Sequence, residues 1–181
     1  MRFIGTVPLE TERLLLRRYQ MSDAEVLYEE IGSKPEVTRY ISWNPCDSLK
    51  GAREFVTLNM EQYKRDQSFF GWAITMDGVL LGSIGVYNMD PQNESCELGY
   101  NLRPDYQNRG ITTETVKRVV DFLFRTVGMH KICASVHEEN EASKKVLKKA
   151  GFSYEATAKE AIKEKDGSYK NLEYFCILQS V

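Results

Sequence analysis

Asn101-Leu102-Arg103-Pro104-Asp105-Tyr106-Gln107-Asn108-Arg109-Gly110-Ile111-Thr112-Thr113-Glu114 is the stretch whose reading decides the fold. An apolar strand ends at Leu102, a short polar loop turns, and a helix opens near Gly110. Val116, Val119, Val120, Leu123 and Val127 continue that helix as one apolar stripe. The first amides of a helix have no partner inside it, and the aligned peptide dipoles add partial positive charge there. That combination binds phosphate. Gly110 lets the backbone approach an anion with no side chain intervening, and Arg109 can add a direct charge. The loop has neither the G-x-x-x-x-G-K-[ST] of a P-loop nor the G-x-G-x-x-G of a dinucleotide fold. Alone, it reads equally as an anion site and as an ordinary strand-to-helix turn.

Upstream, Phe69 to Met76 and Val79 to Met89 flank Asp77-Gly78, a hairpin signal because the turn needs positive φ. Glu94 to Leu102 adds a third strand, so an antiparallel meander is expected. Arg13 to Tyr19 reads as an earlier strand. Ser22-x-x-Glu25 has the form of a capping box for a helix reaching about Ile31. Ser48 can cap a second helix carrying Ala52, Phe55, Val56, Met60 and Tyr63. Residues 32–47, with Pro35, Tyr40, Trp43 and Pro45, read as a loop or short helix able to line a pocket.

Downstream, Lys131 to His137 is a short strand. Asn140 can cap a helix carrying Ala142, Val146, Leu147 and Ala150, which Gly151 ends. Phe152 to Glu164 and Ser168 to Gln179 bracket Asp166-Gly167, a second hairpin signal. The pattern predicts a mixed α/β (α+β) fold, antiparallel first, with helix crossovers in the second half.

The bulk properties narrow the function. The chain has 181 residues, which fits one domain over 1–181. Its formal net charge of −2 lacks the basic footprint of a nucleic-acid binder. Lys144, Lys145, Lys148 and Lys149 read as a solvated helix face. None of the four cysteines forms a C-x-x-C pair, and no His/Cys/Asp cluster has ligand spacing, so no metal is expected. Cys96, Cys133 and Cys176 read as small buried hydrophobes in a reducing cytoplasm. The start lacks a sustained apolar stretch, and the longest uncharged run, Gly78 to Met89, is too short to span a bilayer, so no membrane role is expected.

Gln107-x-x-Gly110-x-Thr112 resembles the Q/R-x-x-G-x-G/A motif of the GCN5-related N-acetyltransferases (GNAT). Thr112 stands where that family usually has Gly or Ala. Glu114 matches the acidic residue often found just inside the helix. Asn140-Glu141-Ala142-Ser143 through Gly151-Phe152 is similar to the family's N-x-x-S-…-G-F signature. Thr11 to Arg17, Glu97-Leu98-Gly99-Tyr100 and Asp166-Gly167-Ser168-Tyr169 are similar to its RimJ/RimL-type branch. The resemblance spans nearly the whole chain. It implies a mostly antiparallel sheet of about seven strands flanked by about four helices, with a strand splay beside Glu94–Leu102 where an acyl-pantetheine inserts. It further implies acetyl-CoA as donor, gripped at its diphosphate by Gln107, Asn108, Arg109, Gly110, Ile111 and Thr112. Backbone groups of Asn101 and Leu102 would pair with the pantetheine arm, and Asn140 and Ser143 would reach it from the helix.

Direct transfer from a thioester to an amine needs a base, a donor near sulfur and an amide polarising the carbonyl. Ser143 is the family-implied acid, or a second helix-cap hydroxyl. Glu97, inside an apolar strand, is a candidate base or faces solvent. Glu160, in a segment similar to the branch's R-E-A turn near the acceptor, is a second candidate base or a salt-bridge partner. His137 reads as near the site, or more simply as a surface or capping group. Tyr40, Trp43, Phe69 and Phe70 are expected on the acceptor side. The implied acceptor is a primary amine: a protein N-terminus as on ribosomal proteins, or a small-molecule amine. A non-catalytic CoA-sensing domain is the remaining alternative. Relatives of this branch are often dimers, so a homodimer is among the expected assemblies.

Overall fold

The computed structural model describes residues 1–41, 44–164 and 166–179, so Trp43 lies outside the described residues. β1 (Leu9–Glu10) and β2 (Leu15–Arg17) form a short outer pair. α1 (Asp23–Leu27) runs on through a π-helical turn, Tyr28–Gly32, and α2 (Pro35–Thr38) is a single turn. In α3 (Leu49–Arg65) the Ser48 side chain accepts from the Gly51 amide, as the sequence predicts. β3 (Gly71–Met76), β4 (Val79–Asp90) and β5 (Ser95–Leu102) form the meander. α4 (Ile111–Phe122), extended by a π-helical turn to Val127, crosses to β6 (Lys131–His137). α5 (Glu141–Lys149) leads to the hairpin of β7 (Ser153–Lys163) and β8 (Tyr169–Leu178).

The sheet order is β1-β2-β3-β4-β5-β6-β8-β7, and only β5 and β6 pair in parallel. Eight strands and five α-helices among the described residues exceed the expected seven and four by the two shortest elements, β1 and α2. Asp77 and Gly78 take φ of 51° and 81°, which closes the two-residue β3–β4 turn. Gly151, at φ 97°, ends α5 and lets the Phe152 amide reach back to the Leu147 carbonyl at 3.0 Å.

Alternation along the strands divides the core between the two faces. On one face Leu16, Trp72, Ile84, Leu98 and Leu102 pack against Val116, Val119, Leu123 and Leu147 of α4 and α5. On the other, Tyr19 and Ala73 pack against Leu27, Ala52 and Val56. The feature that makes room for a ligand is the β5–β6 pair. Its register runs only from Ser95↔Lys131 to Glu97↔Cys133, and beyond that row the strands separate. This is the expected splay.

Four expectations are corrected. Ser22 makes no side-chain cap hydrogen bond, because it already has helical backbone and cannot reach forward. Asp23 organises that turn instead, accepting from the Gln20 amide and from Arg17. Phe70 is 1% exposed and packs on Trp72 and Phe122, while Phe69 lies against Tyr63, so neither faces the cleft. Lys144 does not belong to a solvated face. It is 8% exposed, and its Nζ donates to the Glu138 carbonyl at 2.6 Å and to Glu173 at 2.8 Å. Burial pushes its pKa down, but Glu173 and Glu141 outweigh that and hold it above the ordinary lysine value.

The fourth concerns the cysteines. Cys133 and Cys176 stand opposite each other on β6 and β8 and form a disulfide, with Cα atoms 4.1 Å apart. Their 43-residue separation hides a juxtaposition that exists only once β8 returns beside β6. Cys96 is a buried free cysteine as expected, so the correction concerns Cys133 and Cys176 alone. Glu155 brings a carboxylate within 4.8 Å of both sulfurs, but the sulfurs are bonded to each other and Lys131 holds Glu155 at 2.6 Å. Among the described residues no helix is long and apolar enough to cross a membrane.

Candidate active site

The splay opens into a cleft of about 470 Å³. Its walls are Leu98–Leu102 of β5, Ala134–His137 of β6, the loop entering α4, one face of α5, and a roof of Glu36, Val37, Tyr40 and Ile41. A larger hollow, about 860 Å³, lies between the end of α4 and the β7–β8 edge. It contains neither the splay nor the loop, so the smaller cleft is the candidate site.

The loop has an unusual backbone. Pro104–Tyr106 makes a single 3₁₀ turn, and Asn108 and Gly110 take left-handed backbone, φ 59° and 77°. The amides of residues 108–113 find no acceptor among the described residues; intrahelical bonding resumes with the Glu114 amide on the Gly110 carbonyl at 3.0 Å. Gln107, Asn108, Gly110, Ile111 and Thr112 border the cleft. Ile111 does so by its backbone only, since its side chain is 1% exposed in the core. Arg109 is not in the lining: its guanidinium lies over Tyr106, 5.2 Å from the ring centroid.

A clamp holds this loop from behind. Glu114 accepts from Arg13 Nε at 2.8 Å and Nη2 at 2.6 Å, and from the Thr11 hydroxyl at 2.6 Å. The remaining Arg13 nitrogen, Nη1, donates to the Arg109 carbonyl at 3.2 Å. Burial pushes the Glu114 carboxyl up, but the Thr11 and Arg13 hydrogen bonds and the Arg13 charge outweigh it and hold it below its ordinary range. Gln107 turns its amide back onto the Leu102 carbonyl at 3.3 Å, and Asn101 Oδ1 accepts from the Ser83 amide at 3.1 Å. The Asn101 side chain is thus committed to β4. What β5 offers the cleft is backbone that has no β6 partner past Glu97.

At the deep end α5 presents its first turn. Asn140 Oδ1 caps the helix through the Ser143 amide at 3.1 Å. The Ser143 hydroxyl shares a 2.9 Å hydrogen bond with the Tyr100 hydroxyl. Burial pushes the Tyr100 phenol up to about 12, the Ser143 bond offsetting only part of that. Tyr100 therefore remains a proton-bearing hydroxyl beside Ser143 at any physiological pH. Lys145 and Lys149 border the same cleft.

The three candidate catalytic residues are not brought together. Ser143 lines the cleft. Glu97 stands at the root of the splay on the face opposite Cys96 and Leu98, accepting from Asn88 at 3.2 Å and Ser135 at 3.5 Å. Glu160 is exposed at φ 51° in a bulge of the edge strand β7, its amide donating to Asn171 at 2.9 Å. Two residues gain importance from the structure. Tyr100 was legible: Cys96, Leu98, Tyr100 and Leu102 alternate onto the α4 face. His137 was read as near the site or, more simply, as a surface or capping group; it is 5% exposed and borders the cleft beneath Tyr40, ring centroids 4.9 Å apart.

A family model described as an acetyltransferase (GNAT) domain matches residues 13–153. An uncharacterized N-acetyltransferase of Bacillus licheniformis, p20, is 30% identical over 158 residues, covering 87% of this chain and 88% of that protein. The spermidine N(1)-acetyltransferase of Escherichia coli (strain K12) is 26% identical over 168 residues, covering 91% and 85%. The solved structure of RimL, a ribosomal L7/L12 alpha-N-protein acetyltransferase in complex with coenzyme A, matches with a TM-score of 0.85 at 19% identity, covering 95% of this chain and 98% of that one. The chain belongs to the GNAT acetyltransferase family, and it shares the fold of RimL. In class it is an acetyl-CoA-dependent N-acetyltransferase.

Proposed function

We propose that the protein transfers the acetyl group of acetyl-CoA to the α-amino group of a protein N-terminus by direct attack. The observation that carries the donor half is the run of unpartnered amides 108–113 leading into a splay whose deep end holds the Ser143–Tyr100 pair. Those amides suit a diphosphate, the open edge of β5 suits an extended amide-bearing arm, and the hydroxyl pair suits a leaving sulfur. Support for the acceptor half is that Glu36 and Ile41 of the roof are both solvent-exposed, so an acceptor approaching from outside meets them first.

In this reading the amine nitrogen attacks the thioester carbon, a C–N bond forms, and backbone donors of the splay stabilise the oxyanion. Collapse breaks the C–S bond. Sulfur takes the Ser143 proton, and the proton lost by nitrogen returns to Ser143 through a base, leaving amide and free thiol. Glu97 and Glu160 remain the candidate bases, and since neither lines the cleft each would act through water.

A second reading is favoured by one observation. Among the described residues Glu36 is the acidic residue of the lining, and a carboxylate at the open end suits a cationic polyamine. The test is thiol release from acetyl-CoA with peptides bearing free N-termini, N-terminally blocked lysine peptides, and polyamines, with products identified by mass. Acetylated N-termini support the proposal. Acetylated polyamine alone replaces it with the second reading, and release at hydrolysis background throughout overturns both.

A further inference from the structure

His137 is the last residue of β6, and three elements meet on its ring. Nδ1 accepts from the Glu139 amide at 3.1 Å. Because an amide can only donate, the ring proton sits on Nε2, which lies 3.0 Å from a Glu164 carboxylate oxygen and donates to it. Tyr40, from the roof, covers the ring and donates its hydroxyl to the Glu139 carbonyl at 3.3 Å. Both ring nitrogens are therefore occupied, so His137 is not free to take a proton from an acceptor amine.

The two nitrogens hold two different elements. The Nδ1 side fixes the turn Glu138–Asn140, whose Asn140 amide also returns to the His137 carbonyl at 2.8 Å. That turn sets Asn140 and, through its cap, Ser143. The Nε2 side fixes Glu164, where β7 ends and the hairpin to β8 begins, the Glu164 amide bonding the Ser168 carbonyl at 2.8 Å. The hairpin meets the cleft only through the His137 ring, which lies beneath the roof residue Tyr40 and so on the side where the acceptor enters in the reading above, on which this inference rests.

We infer that His137 is a positioning residue with divided duties: Nδ1 orders the donor end of the cleft and Nε2 orders the acceptor end. Asn and Gln separate the two arms. Asparagine places an accepting oxygen near the Nδ1 position but has no reach to Glu164. Glutamine places a donating amide near the Nε2 position and leaves the Glu139 amide without its acceptor. His137→Asn should raise the acceptor KM roughly five- to tenfold, the worth of one lost hydrogen bond, with the acetyl-CoA KM within about twofold of wild type. His137→Gln should do the reverse. Glu164→Ala should copy His137→Asn, and Glu164→Gln, which keeps an accepting oxygen, should restore most of the loss.

A residue that merely packs would move both KM values together. Equal shifts in both, or in neither, overturn the inference. If the buried substitutions fail to fold, Glu164→Ala on the half-exposed partner decides: an unchanged acceptor KM overturns it. If wild type acetylates no amine, the proposed reaction has failed and the inference is read by calorimetry instead. His137→Gln must then weaken acetyl-CoA binding five- to tenfold and His137→Asn must not; any other ordering sinks it.

Discussion

Glu114→Gln tests whether the phosphate loop is prearranged by the clamp behind it. The substitution keeps size and one accepting oxygen, so the Thr11 bond can persist. With the Thr11 bond kept, an NH₂ group replaces the oxygen that accepts from Arg13 Nε and Nη2 at 2.8 and 2.6 Å; with the amide flipped, Arg13 meets only a neutral oxygen, so either way the charge-assisted pair is lost. Arg13 then has no charged anchor from which to hold the Arg109 carbonyl. The Arg13 and Glu114 side chains are 43% and 22% exposed, so solvent screening keeps the ion pair far below a buried one. Two charge-assisted hydrogen bonds onto one carboxylate oxygen in that setting are worth roughly 1 kcal/mol. If that energy holds the loop in its binding form, its loss weakens coenzyme A binding roughly fivefold. At saturating acetyl-CoA, kcat should not change, because Glu114 touches no reacting atom. The assay is calorimetric titration of wild type and variant with coenzyme A in the same buffer. The pH dependence has a defined sign. Glu114 is held below its ordinary range, so its contribution is complete above about pH 4.3 and is lost as pH falls through the lower folded value. The two proteins should therefore converge below that pH. A Kd within twofold of wild type at neutral pH, with the melting temperature lowered all the same, would show that the clamp stabilises the fold without arranging the loop.

Two further outcomes follow from the hydroxyl pair and the buried phenols. Ser143→Ala should lower kcat on the order of a hundredfold, the usual scale of a lost general acid, and Tyr100→Phe only about tenfold because Ser143 can still donate; a larger loss in Tyr100→Phe would make the tyrosine the direct donor. In an ultraviolet titration of phenolate, burial should delay Tyr63 and Tyr100 to about pH 12. Their contribution to stability is complete below the unfolded value near pH 10 and is lost between about pH 10 and 12, up to about 2.7 kcal/mol for each two-unit difference. Both phenols ionising near pH 10 in the folded protein would contradict that.

How much was legible depends on how local each feature is. The Asp77-Gly78 turn, the Ser48 and Asn140 caps and the Gly151 stop rest on backbone chemistry within a few residues, and all stand in the structure. Ser22 misled because its cap motif cannot act once Ser22 is itself helical. Lys144 was misread among its neighbours, although its spacing of three from Leu147 puts it on the buried side of α5. Phe69 and Phe70 were read together as a pair for the pocket; strand alternation separates them and sends Phe70 into the core. The Cys133–Cys176 pairing and the Tyr40–His137 contact are of another kind. Each depends on the register or approach of elements distant in sequence, for which no local pattern exists.

The same distinction explains why the two ends of the cleft were unequally readable. The donor end is made chiefly of main chain: amides freed by a helix start, and a strand edge left bare where β5 and β6 part. Main-chain sites need few particular side chains, so Thr112 in place of Gly or Ala leaves the amides available, and a short motif reports them. In the proposed reading the acceptor end is made of side chains brought from the segment after α2, from β6 and from the start of the β7–β8 hairpin: Tyr40 and Glu164 converge on His137. Each contributing residue is unremarkable in its own segment. Their meaning lies in convergence, so substrate choice can change through substitutions at Tyr40, His137 or Glu164 while the donor loop stays as it is. Variation among relatives in the amine they accept should therefore be sought at this convergence rather than in the loop.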